Sequence, residues 1–143
     1  MGTRKIGLSL LIDAVYDRID GHALTSPYRV FDYVPKDDDA INTDFPFVTI
    51  GEVYGGRSYS FGAQDNESED NIISVHVWSD YKGKKECADM MDNICQALTA
   101  TDFTIAGYTM LLKLVDDYSI IIDDTEPANP IYHGIIRFRQ HMA

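Results

Sequence analysis

The chain has 143 residues, 45% of them apolar, and carries a formal charge of −11 with a pI near 4.5. A chain of this size is expected to form one domain, 1–143, burying roughly 70% of the surface its unfolded form exposes without help from disulfides or a structural metal. The charge has the wrong sign for wrapping nucleic acid, and no apolar run nears the ~18 residues of a membrane span. The N-terminus also lacks the pattern of a secretory signal, so a cytosolic protein is expected.

Residues 5–19 place Leu8, Leu11, Ile12, Val15, Tyr16 and Ile19 at intervals of three and four, which predicts an amphipathic helix stopped by Asp20-Gly21. Ser26-Pro27 then opens a strand through Tyr28, Val30, Asp32 and Val34, and the Asp-rich residues 36–44 read as a solvated loop. A second strand, residues 45–54, sets Phe45, Phe47, Thr49, Gly51 and Val53 on one face and Val48, Ile50, Glu52 and Tyr54 on the other. Pro46 puts it at a strand start or a sheet edge. Residues 55–70 mix aromatics, Asn and four acidic residues without a sustained period. A long hairpin loop is expected there, and it is the first candidate for a partner contact.

The next unit is the most ordered in pattern. Ile73, Val75 and Val77 alternate with Ser74, His76 and Trp78 in a strand, and a turn at residues 79–83 leads into a helix. Gly83 is the expected N-cap, with Glu86 three positions on to reach back to the exposed amides. Cys87, Met91, Ile94, Cys95 and Leu98 make the apolar stripe, and Asp89, Asp92, Asn93 and Gln96 the wet face. Eight residues of helix separate the two cysteines by about 12 Å, beyond the ~7 Å a disulfide spans, so both are expected to be reduced and largely buried. Residues 108–115 and 118–122 are rich in strand formers, and residues 132–140 form a last strand with Gly134, Ile136 and Phe138 opposite Ile135, Arg137 and Arg139. The order α-β-β-β-α-β-β predicts an α+β domain, a single mostly antiparallel sheet with two amphipathic helices packed on one face. Apolar residues on both sides of its strands imply that part of the second face is covered by neighbouring subunits.

A search for chemistry finds little. Asp116-Asp117 and Asp123-Asp124 are strand neighbours that point to opposite faces, so they are expected to serve turns at strand ends. Asp37, Asp38 and Asp39 lack the spaced ligands of a calcium loop, and His22, His76, His133 and His141 lack the spacing of a zinc site. Gly55-Gly56-Arg57-Ser58 follows a strand but has neither Walker spacing nor a helix behind it. No catalytic, cofactor or metal residues are assigned. Tyr54, Tyr59 and Phe61, with Arg57 among them, could stack on bases, yet Asp65, Glu67, Glu69 and Asp70 nearby would repel phosphates, so a protein interface is the expected use.

The chain resembles the tail-completion family of long-tailed phages, prophages and gene transfer agents. The residues that carry the resemblance are the N-terminal helix before the strand ending at Pro35, the Phe45-Pro46-Phe47-Val48-Thr49-Ile50-Gly51 segment, Val75-His76-Val77-Trp78-Ser79 with its turn and helix, and Gly134-Ile135-Ile136-Arg137-Phe138-Arg139. Residues 64–70 and 118–130 depart from a short family member. The resemblance implies a structural virion protein, not an enzyme, made in the host cytoplasm and carried in the head–tail junction. It further implies a homo-oligomeric ring, of six subunits, that caps the tail tube, meets the tail-tube protein and the head connector protein, and lets DNA pass without specific binding. A ring of head-to-tail contacts needs two different complementary surfaces; here Lys84, Lys85, Arg137 and Arg139 could face Asp37, Asp38 and Asp39, or the acidic set Glu67, Glu69 and Asp70, of a neighbour. The alternatives are another connector component, such as a head-completion or tail-tube subunit, and a small acidic ligand-binding module.

Overall fold

The computed structural model describes residues 6–33, 45–60, 63–124, 128 and 130–143, the side chains of 58–60 and 63–67 excepted. The elements are α1 (Leu8–Gly21), β1 (Arg29–Phe31), β2 (Phe47–Ser60), β3 (Ala63–Ser79), α2 (Lys85–Thr99), β4 (Met110–Asp123) and β5 (Ile131–Met142). They build one five-stranded sheet in the order β1-β2-β3-β5-β4. All pairs are antiparallel except the short β1, which runs parallel to β2. This is the predicted α+β architecture in the predicted element order.

Both helices lie on one face. In β5 the residues turned toward them are Gly134, Ile136, Phe138, Gln140 and Met142, all buried. Across β3 they pair with Val77, Val75, Ile73, Asn71 and Glu69. Leu11, Val15 and Ile19 of α1 and Cys87, Met90, Met91, Ile94 and Leu98 of α2 close this core. Each fully buried aliphatic or aromatic side chain contributes roughly 1.5–3 kcal/mol, so the helix-side face carries the stability. Gly134 is where α2 comes nearest the sheet: a Cβ there would lie 2.8 Å from the Cys87 Sγ. Burial pushes both the Cys87 and Cys95 thiols up, and neither forms a disulfide.

Several local expectations are corrected. The hairpin does not loop out at residue 55: β2 continues to Ser60, β3 begins at Ala63, and Tyr59 pairs with Glu67. Backbone pairing propagates along a ribbon whatever the side-chain period, so an aperiodic polar stretch hid the strands. Residues 108–115 and 118–122 are one strand, and Asp116-Asp117 marks a register shift within it, not a turn at its end. A second shift between Ile50 and Val53 exchanges the faces of β2, so that Val53 joins Val48 and Ile50 on the helix side. Helix α1 ends without a glycine cap: His22 is extended, its N–H bonds to the Arg18 carbonyl, and the Thr25 hydroxyl donates to the Ile19 carbonyl at 2.6 Å. For α2 the N-cap is Lys84, while Gly83 (φ +87°) carries the turn before it. Glu86 accepts from the Ser79 hydroxyl at 2.6 Å, and not from the expected backbone amide.

Candidate assembly surfaces

The second face of the sheet is lined by alternate residues of the same strands. At one end an aromatic chain crosses it, Phe31 edge-on to Phe47, Phe47 stacked with Trp78, and Trp78 stacked on His133 at 3.8 Å with planes 9° apart. The Trp78 indole N–H donates to the Thr49 hydroxyl. His133 Nε2 and His76 Nδ1 share a hydrogen bond of 2.7 Å, and His76 Nε2 lies 3.5 Å from Glu52 Oε2. Gly51 makes this possible, because a Cβ at that position would collide with the His76 ring. The environment tunes two of these groups. Burial, then the adjacent His76, holds His133 below the ordinary histidine value, and a backbone hydrogen bond, with further help from Ser74 and His76, holds Glu52 below its own.

Further along this face two cross-strand ion pairs stand in line. Arg137 faces Asp117 directly, at 2.8 Å. Arg139 makes a bidentate contact with Asp70, at 2.9 and 2.6 Å, which lowers the Asp70 carboxyl and raises the guanidinium. Both arginines are therefore engaged by their own sheet, with side chains that stay partly exposed. Antiparallel pairing places direct and diagonal neighbours within side-chain reach, but a sequence does not state the register.

Glu69 was predicted to lie at the surface and does not. It is only 3% exposed, on the helix side of β3, and its Oε1 accepts the Gly7 N–H at 2.8 Å. That tertiary carboxylate occupies the N-terminal end of α1, where no side chain of the helix's own cap serves. Around it, Ile6, Leu8, Val53, Gly55, Gly56, Arg57 and Asn71 line an open cavity of about 270 Å³.

The remaining predicted contact residues are distributed as follows. Arg57 stands opposite Glu69 in the β2–β3 register. Lys84 and Lys85 are exposed at the start of α2, where Lys85 pairs with Asp89 at 3.1 Å. Tyr59 and Glu67 are strand partners whose side chains, like residues Asp37, Asp38, Asp39 and Phe61 as a whole, lie outside the described residues.

The strongest surface signal lies at the sheet edge, a position that the two-sided apolar content read from the sequence did not locate. Leu111, Leu112, Tyr118, Ile121 and Ile122, five of the large exposed hydrophobics, belong to β4. Tyr118 and Ile122 face the helix side and Leu112 and Ile121 the other, as their partners on β5 fix. The clue was present in the run Ile120-Ile121-Ile122, but apolar character alone does not distinguish a central strand from an edge one.

Among the described residues no group of three or more His, Cys, Asp or Glu could hold a metal ion. Asp117 is held by Arg137, and the thiols lie in or against the core. The arrangement offers contact surfaces, apolar, aromatic and charged.

In fold, the chain is similar to one from the virion of a native gene transfer agent particle, over 97% of this chain and 98% of that one, with a TM-score of 0.72 and 15% identity. It is also similar to the bacteriophage SPP1 gp17 protein, over 94% and 88% of the respective chains, with a TM-score of 0.56 and 21% identity. The family model described as tail completion protein gp17 matches residues 10–143. No curated protein matches in sequence.

Proposed function

Because the chain belongs to the tail completion protein gp17 family, we propose that it forms an oligomeric ring that caps the tail tube of a long-tailed phage or gene transfer agent and joins it to the head connector. The coarser part of this reading, a structural component of the tail, follows from the family itself. The observation that supports the finer part is the division of the sheet. One face is closed by helices, while the other face, the β4 edge and the start of α2 offer aromatic, apolar and charged groups for contact with other chains. Lys84 and Lys85 are the cations we assign to such contacts. A charge of −11 suits a passage through which DNA must move without adhering.

The test is electron microscopy of particles assembled without this protein, together with the mass of the purified chain in solution. Tails of uncontrolled length that lack heads, and a mass several times that of one chain, are the expected result. Filled heads that leak DNA would instead place the protein among the head-completion components.

A further inference from the structure

We infer that neighbouring copies in this ring join edge to edge, β4 of one copy adding to the outer side of β2 of the next. The inference rests on the ring reading and names the surfaces that close it.

Among the described residues β4 pairs only with β5, and no described strand covers its outer side along its fourteen residues. Edge strands of that length are normally blunted by charge or kept polar. This one carries Lys113, Asp116 and Asp117 and a register shift at its middle, yet to either side of them it is apolar and exposed on both faces, through Tyr118 and Ile122 on one and Leu112 and Ile121 on the other. Side chains of that kind on both faces belong to a strand with a neighbour on each side. At the opposite edge, β1 covers β2 only at Phe47, Val48 and Thr49. Beyond Thr49, β2 has no described strand on its outer side, and it presents Tyr54 at 67% exposure beside Gly55 and Gly56.

Strand direction selects the partner as a second copy of this chain. The strands β2, β3, β5 and β4 alternate in direction, so β4 runs opposite to β2. In a cyclic ring every copy points the same way along the axis. The β4 of one copy therefore meets the β2 of the next antiparallel, and the up-down alternation continues across the boundary with the helix layer kept on one side. The two edges differ, as a head-to-tail contact requires.

Hydrogen exchange of the full chain, measured above and below the concentration at which it assembles, tests the pairing alongside native mass. In the oligomer, the amides of β4 and of β2 beyond Thr49 should exchange about ten-fold slower or more. Those of the Glu69–Ser79 part of β3, already paired on both sides, should not change. Ile121→Asp should reduce the mass to that of one chain with an unchanged circular dichroism spectrum. An oligomer whose β4 and β2 edges stay unprotected overturns the edge pairing and leaves the ring standing. A dimer protected at β4 alone also overturns it, because β4 would then pair with itself about a two-fold axis. A chain that is monomeric at every concentration overturns the ring and the pairing together.

Discussion

The two faces of the sheet are made from the same strands, yet they do different work. On the helix side Ile73, Val75, Ile136 and Phe138 are fully buried. On the other side, residues one position away form a histidine–tryptophan stack and two ion pairs that stay partly exposed. The contrast teaches that along β5 stability and contact chemistry are separated by a single step, so the protein can change one there with little effect on the other.

The largest test of that separation is Phe138→Ala, expected to cost about 3–5 kcal/mol in urea unfolding. Ile121→Ala, also in the β4–β5 pair but facing the other way, should stay within about 0.5 kcal/mol for the isolated chain. Equal losses would mean that the second face is part of the core. Glu69→Ala sharpens the comparison at an intermediate scale. It removes the acceptor at the Gly7 amide and should cost about 1–3 kcal/mol, whereas Glu69→Gln, which keeps an acceptor there, should recover most of it; a silent Glu69→Ala would remove the carboxylate from the account of α1.

The smallest effect is the pH response of the second face. His133 is depressed below 6.5 by burial and by His76, against the weaker pull of Asp123 and Glu52. The unfolded chain therefore takes up this proton first. The stability tied to His133 is complete above about pH 6.5 and is lost as the pH falls toward the folded-state value, where the loss levels off. Trp78 is the sole tryptophan and lies against His133, so the emission of the folded chain should fall as the pH drops through the depressed His133 value, below 6.5, and His133→Asn should flatten that change. An unchanged titration in the variant would separate Trp78 from His133.

Much of the fold was legible in the sequence because burial follows period. The α2 stripe and the alternation of Gly134, Ile136 and Phe138 against Arg137 and Arg139 appear in the structure as read. The β2–β3 ribbon was not legible, since residues 55–59 and 67–71 pair through their backbones and carry no hydrophobic alternation to announce it. The contact surfaces were the least legible part. Arg139 meets Asp70 from 69 positions away, and Glu69 meets the start of α1 from 62.

By itself, then, the sequence determined the element order, the α+β class and the core face of the last strand and helix, because apolar period is a local property of the chain. The tertiary structure alone decided that Glu69 is buried, that Arg137 and Arg139 are already paired, and that β4 is an exposed apolar edge. Each of those depends on which strands are neighbours and in what register, and strand neighbours are chosen by distant parts of the chain.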